Sequence, residues 1–300
     1  MSTAQTSSLT LLDHYPAESI RMGHLPVMQP FPLARLEQLS PFLLLHHFGP
    51  RKVLPGVDPL GVEAHPHRGF EPVTFPFQGE IQHRDSRGNE GLLQPGGVQW
   101  MTAGLGIVHS EKASKKFVEQ GGTLEGIQLW VNVPAANKMG QPAYQDFSAQ
   151  DLTALSGEDW RMAVVSGGVR VRSGQDAWQE AKGPARTFTP VTTAMVHAEP
   201  GATLSIDVPA GQQAGFYLLD GSLDLADGTR ASKFDFLRFS AEGGEVTFTV
   251  TETLRGLWLA GEPIDEPMVS HGPFVMNTST EIMEAMRDYQ MGKMGMLVPS

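Results

Sequence analysis

Short apolar and β-branched runs, interrupted every few positions by glycine, proline, aspartate or asparagine, set the rhythm of this chain. A first block extends from about residue 18 to 133. It contains Phe42-Leu43-Leu44-Leu45, Val73-Thr74-Phe75-Pro76-Phe77, Val98-Gln99-Trp100-Met101 and Ile127-Gln128-Leu129-Trp130-Val131. Turn signals such as Asp85-Ser86-Arg87-Gly88-Asn89 and Pro95-Gly96-Gly97 separate these runs. A second block, from about residue 161 to 259, repeats the pattern over 162–165, 204–208, 215–219, 234–239 and 246–251. Many short strands at close spacing, with few helical stretches, predict an all-β protein of sandwiches or barrels.

The tail changes character. Thr278-Ser279-Thr280-Glu281 is a capping-box pattern, in which Thr278 and Glu281 satisfy each other's backbone donors. Behind it Ile282, Ala285, Met286 and Tyr289 recur at helical spacing, which predicts a short helix docked on a barrel through one apolar stripe. The segment from Met291 to Met296 reads as a frayed end. The resulting division is a leading barrel over 1–134, a linker rich in Ala, Gln and Pro over 135–151, a second barrel over 152–262, and a tail with its helix over 263–300.

Composition narrows the classes. Apolar residues are 40% of the 300 positions, enough for packed cores, and charged residues are only 18%, too few for a disordered polyampholyte. The chain has no cysteine, which excludes disulfides, thiolate metal sites, iron–sulfur clusters and cysteine nucleophiles. No apolar run reaches the roughly 18 residues of a membrane span, and the first twenty residues lack a basic flank before an apolar core. The expected compartment is the cytoplasm. Against 33 acidic residues stand 22 basic ones, a net charge of −11 that repels a phosphate backbone. The densest basic groups, Lys112-Lys115-Lys116 and Arg161-Arg170-Arg172, are no more than ordinary solvated faces, so no direct contact with nucleic acid is expected; docking onto a protein partner stays open.

Candidate chemistry lies among the ten histidines. In His65-Pro66-His67 the two imidazoles are two residues apart, so on a strand they share a face. Their Cα atoms are then roughly 7 Å apart, close enough to converge on one ion with bonds of about 2.1 Å. His109-Ser110-Glu111 repeats the spacing 42 residues after His67. Together the two groups offer three neutral nitrogens and a carboxylate, a set suited to a divalent first-row metal with open positions. Either group alone is an ordinary polar strand face; their pairing in one strand-rich block makes the case.

The surrounding residues sharpen it. His65-Pro66-His67-Arg68-Gly69-Phe70-Glu71 resembles the cupin core pattern of two histidines followed by a glutamate, although Gly79 falls one residue beyond the usual cupin spacing. The stretch from Pro95-Gly96-Gly97 through Trp100-Met101-Thr102-Ala103-Gly104 to His109-Ser110-Glu111 closely resembles the second metal motif of the pirin family. Leu124-Glu125-Gly126-Ile127-Gln128-Leu129-Trp130-Val131-Asn132-Val133-Pro134 and His271-Gly272-Pro273-Phe274-Val275-Met276-Asn277-Thr278 are similar to pirin as well, and the likeness spans roughly Pro26 to Gly292.

This resemblance implies an iron-binding bicupin: two antiparallel cupin β-barrels with a short C-terminal helix, and metal only in the first barrel. Carried over position by position, the metal ligands are His65, His67, His109 and Glu111. Because a carboxylate can bind metal through one oxygen and accept a proton on the other, Glu111 is also the candidate catalytic base. Glu71, a ligand in many other cupins, is left behind the ligands. The implied activity is flavonol cleavage of the quercetin 2,3-dioxygenase type, with O₂ and a flavonol as substrates. The implied cofactor is one divalent metal, Fe(II) first and Ni, Cu, Mn or Zn as alternatives. Two other readings use the same ligands: an iron-dependent redox-sensing regulator that binds a transcription-related protein, and a cupin isomerase or decarboxylase.

Several positions depart from the family pattern. Pro72 and Pro76 require their strand to be an edge, bulged, or donor-free at those points. His46-His47 stands where an acidic residue is expected and reads as an exposed loop or the pocket mouth. His83, beside the Asp85–Asn89 turn, reads as solvated. Phe70, Trp100, Met101 and Ile107 read as barrel core, with an aromatic-substrate wall as the alternative.

Overall fold

Backbone pairing, not sequence adjacency, decides which segments of this chain belong together. The computed structural model describes residues 8–23 and 25–297; residues 1–7, part of the opening stretch read for a leader, lie outside them. The strands pair antiparallel and form two β-barrels with a short C-terminal helix, as the strand-rich pattern predicts. Among the described residues, no helix is long and apolar enough to cross a membrane.

One compact unit comprises Asp151–Pro263 with Pro30–Pro41 and the described residues up to Glu18. The other comprises Phe42–Gln150 with Ser19–Gln29 and the described residues from Ile264 onward. This partition differs from the division read along the sequence, for reasons visible in the pairing. The opening strand Leu11–Pro16 pairs with Asp235–Phe239, so it joins the later barrel and not the leading one. The expected linker contributes strand Ala143–Phe147, which pairs with Val98–Thr102 and extends the leading barrel. The tail joins that same unit.

The later barrel is built on the 18-residue strand Gly244–Gly261, which pairs with Val191–Ala198, Thr203–Val208 and Gln213–Leu225. Phe216, Phe248 and Trp258 fill its interior, with Phe216 and Trp258 ring centroids 5.7 Å apart. Its His197 faces Glu199 at 3.9 Å.

The leading barrel has two facing sheets. The four-stranded sheet runs in the order Val62–His67, Ile107–Ala113, Ile81–Asp85, Glu90–Leu93. The seven-stranded sheet runs Ala143–Phe147, Val98–Thr102, Phe70–Gln78, Gly122–Asn132, Phe42–Val53, Leu25–Phe31, Glu18–Met22. Strand Phe70–Gln78 is therefore central despite its prolines. Its pairing with Val98–Thr102 is confined to Val73 and Thr74, the residues between Pro72 and Pro76. On its other side the register slips beside Pro76, between Glu125 and Gly126. The missing donors are thus absorbed by a bulge and by a short ladder, not by an edge.

Helix Ser279–Gln290 begins with the expected capping box. It buries Ile282 and Ala285 in a cluster with Val108, Phe274 and Met276, whereas Met286 and Tyr289 stay exposed, so only half of the stripe faces the barrel. The segment after it is anchored, not frayed. Met294 joins the same cluster, and Ser86 Oγ donates to its carbonyl at 2.8 Å.

Candidate metal centre

Strand geometry brings the two histidine groups together. Val62–His67 is the edge of its sheet, which is where Pro66 can be tolerated without a lost ladder bond. It pairs with Ile107–Ala113 in the register Ile107↔His67 and His109↔His65, so His65, His67 and His109 project from one face. Between His109 and Glu111 the register shifts, setting Glu111 opposite Val62. The extra residue lies on the Val62–His67 strand, since Ile107–Ala113 keeps regular register with Ile81–Asp85.

The three imidazoles meet. His65 Nε2 lies 3.0 Å from His67 Nε2 and 2.9 Å from His109 Nε2, and the donor atoms of all three residues fall within 4.8 Å of one another. Their other ring nitrogens point outward. His65 Nδ1 is 2.9 Å from the Glu63 carbonyl, and His109 Nδ1 is 2.9 Å from His83 Nε2. His67 faces the Pro273 carbonyl, short of full hydrogen-bond geometry at Nδ1. A carbonyl only accepts, so the protons of His65 and His67 belong on Nδ1 and their Nε2 atoms carry bare lone pairs. Burial holds the His67 and His109 imidazoles well below the ordinary histidine range, and neighbouring histidines push in the same direction. Two Nε2 atoms facing each other at 3.0 Å are the arrangement that a cation held between them would bridge. Donors 2.9–3.0 Å apart are also separated as two ligands are at about 90° around a centre about 2.1 Å away. The donor set therefore fits a divalent metal.

Glu111 stands beside this cluster but outside its shared donor group. Thr74 Oγ1 donates to its Oε1 at 2.9 Å, and Gln128 Nε2 is 3.2 Å from Oε2. These three polar residues and His46 line a cavity of ≈ 20 Å³, room for about one water, whose remaining wall is apolar and includes Leu25, Phe48 and Ile81. His65 is the more solvent-exposed of the three imidazoles, His67 and His109 being buried at 2% exposure.

Comparison with known proteins places this geometry. Residues 17–131 match the Pirin family model, and residues 193–295 match that of the Pirin C-terminal cupin domain. A Pseudomonas aeruginosa protein named "Putative quercetin 2,3-dioxygenase" is 38% identical over 258 residues, covering 86% of this chain and 87% of its own. The chain belongs to the pirin family. A tomato (Solanum lycopersicum) pirin-like protein is 36% identical, covering 87% of this chain and 84% of its own. The crystal structure of a quercetin 2,3-dioxygenase from Acinetobacter baumannii superposes with a TM-score of 0.89 at 36% identity, covering 97% of this chain and all of that one. Both barrels are thus cupin barrels.

Several residues of this pirin site escape a reading of the sequence. His83 is buried at 1% exposure, not solvated, because Ile81, His83 and Asp85 alternate inward along a central strand. That period-two pattern is its only sequence signal. Tyr144, from the expected linker, packs against His83 with ring centroids 5.0 Å apart and planes tilted by 59°. His46 and His47 lie within strand Phe42–Val53, not in an exposed loop. His46 Nε2 is 2.7 Å from Gln29 Oε1, and burial lowers its pKa to about 4. His47 is fully buried, with Nε2 3.4 Å from Glu125 Oε1. Phe70, Trp100, Met101 and Ile107 are all core, and Phe70 packs its ring 5.1 Å from that of His67 and 4.3 Å from that of Trp130.

The tail is fastened to the loop that follows His67. Arg68 donates through Nη1 and Nη2 to Asp288 Oδ2, both at 3.1 Å, and through Nε to the Leu105 carbonyl at 2.7 Å. Lys138, 1% exposed, donates to the Gly69 carbonyl at 2.7 Å, Asn132 Oδ1 at 2.6 Å and the Val275 carbonyl at 3.2 Å. Burial lowers the Lys138 pKa to about 8.

Glu71 faces Thr102, whose hydroxyl donates to Oε1 at 2.6 Å. Burial pushes its carboxyl up to about 7, although Thr102 pulls the other way. A carboxyl raised on folding contributes stability that is complete below its unfolded pKa of about 4.5 and lost as pH rises through about 7. Glu71→Gln removes that loss. Denaturant titrations are expected to show the variant gaining up to about 3 kcal/mol on the wild type between pH 4.5 and 8. A constant difference across that range would contradict the assignment.

Proposed function

We propose that this pirin is a metal-dependent oxygenase of the quercetin 2,3-dioxygenase type, with His65, His67, His109 and Glu111 holding one divalent ion. The single observation that carries the reading is the meeting of three imidazoles, with His65 Nε2 2.9–3.0 Å from the Nε2 atoms of His109 and His67. Near-perpendicular donors suit a six-coordinate first-row ion such as Fe(II), Ni(II) or Mn(II) better than tetrahedral zinc. When bound, the ion supplies Lewis acidity toward a flavonol hydroxyl and redox capacity toward O₂.

The chain's own residues do the rest. His65, the most exposed imidazole, marks the side from which solvent and substrate arrive. Glu111 accepts the flavonol hydroxyl proton on a carboxylate oxygen and holds it beside the apolar cavity. Thr74 and Gln128 keep that carboxylate aimed. Leu25, Phe48 and Ile81 exclude bulk water from the same space. A flavonol exceeds a cavity of ≈ 20 Å³, so binding includes a parting of its walls. The cysteine-free chain needs no oxidising compartment, and we place it in the cytoplasm.

Full-length protein loaded anaerobically with Fe(II) is expected to consume O₂ when quercetin is added, and His65→Ala to abolish the uptake. No uptake with any of Fe, Ni, Cu, Mn or Co would reject the oxygenase reading.

A further inference from the structure

Glu111 belongs to the four-stranded sheet but finds its partners on the opposite one. Thr74 and Gln128 are directly paired across strands Phe70–Gln78 and Gly122–Asn132, so one position in the seven-stranded sheet presents both donors. Thr74 Oγ1 fixes Oε1 at 2.9 Å. A single bond of that kind leaves the carboxylate able to swing about its soft terminal torsion. Gln128 Nε2 straddles the group, 3.3 Å from Oε1 and 3.2 Å from Oε2, and opposes that swing. Both donors are neutral, so they orient the charge of a carboxylate only 7% exposed without cancelling it. A carboxamide suits this role, since it donates as lysine or arginine would yet brings no cation to compete with a metal.

We propose that Gln128 is a positioning residue that sets the direction from which Glu111 meets a cation held by His65, His67 and His109. The proposal rests on the four-ligand reading above and assigns the residue on which the fourth ligand depends. Gln128 touches neither the imidazole nitrogens nor the ion; it acts through Glu111. Its cross-strand neighbour His46 turns Nε2 to Gln29 instead, and the Gln128 amide is shared between the carboxylate and, at 3.4 Å, Thr74 Oγ1.

The test is the Co(II) affinity of the full-length chain, measured by competition with a chromophoric chelator, together with the Co(II) ligand-field spectrum. Gln128→Met keeps the length of the side chain and removes its donors. It is expected to weaken Co(II) binding about 10–100-fold and to shift the spectrum. Gln128→Glu, similar in shape but repelling Glu111, is expected to lose at least as much. In a Glu111→Gln background the Gln128→Met change is expected to cost less than about threefold, because the group it positions is gone. Should Gln128→Met fail to fold, Thr74→Val enters the same cycle with the same expectation. Wild-type affinity and spectrum in a folded Gln128→Met protein would overturn the proposal, as would an equal loss in both backgrounds. Failure of the underlying reading looks different: the wild type binds no Co(II), or its affinity is indifferent to Glu111→Gln, and the proposal falls with it.

Discussion

Alanine at His109 is expected to cost the protein its metal and the stability that metal confers. His109 Nε2 is 2.9 Å from His65 Nε2, and its ring centroid lies 4.4 Å from that of His65 and 4.8 Å from that of His67, so it forms one corner of the donor triangle. Losing a ligand outright exceeds the 10–100-fold typical of a supporting residue, and a fall in affinity of more than about 100-fold is expected. A ligand present at a thousandfold excess over its Kd stabilises the folded state by about 4 kcal/mol. The wild type should therefore show a large rise in Tm on addition of Fe(II) under anaerobic conditions, and His109→Ala almost none. The variant also removes a neutral imidazole held against others, so its metal-free Tm should fall far less than the loss of a buried ring suggests. Equal metal-induced shifts in both proteins would contradict the assignment of His109.

Gly69→Ala is expected to detach the tail from the metal loop. Gly69 has φ +87°, where an L side chain is strained, and an added Cβ would sit 2.1 Å from the Val275 carbonyl oxygen and 2.7 Å from Met276 Sδ. The first obstacle is backbone and cannot rotate aside. Strain alone costs about 1–3 kcal/mol. Displacing Val275 also breaks the Lys138 contacts to the Gly69 and Val275 carbonyls, leaving buried polar groups without partners at about 1–3 kcal/mol each. A loss of more than about 4 kcal/mol is expected. Hydrogen exchange would locate it: amides of helix Ser279–Gln290 and of strand Phe274–Met276 should lose protection first. Metal affinity should fall with them, since Pro273 faces His67 from the same segment. Unchanged protection in the helix would refute this account of the tail.

What the sequence discloses is whatever depends on short spacing. The period of two in His65-Pro66-His67 and His109-Ser110-Glu111 announces shared strand faces, and the capping box at Thr278 announces a helix start. What it conceals depends on partners far along the chain. Leu11–Pro16 joins the later barrel because Asp235–Phe239 offers it an edge, more than 200 residues away. Ala143–Phe147 looks like a linker because a single strand on a sheet margin needs little apolar patterning; its identity comes from Val98–Thr102. His83 looks solvated because a polar turn follows it, yet its strand is central and it sits on the buried face with Ile81 and Asp85. Glu111 illustrates the boundary best. Its spacing from His109 puts it on the same face, as the regular register with Ile81–Asp85 bears out, but its partners Thr74 and Gln128 stand on the other sheet, which no spacing reveals.

X-ray absorption at the iron edge, on full-length protein reconstituted with Fe(II) and assayed for stoichiometry, addresses the metal centre most directly. One ion per chain with three imidazole nitrogens at about 2.1 Å is predicted, falling to two imidazoles in any His67→Ala protein that retains metal. An ion bound with one imidazole or none, or a chain that retains no metal at all, would contradict it.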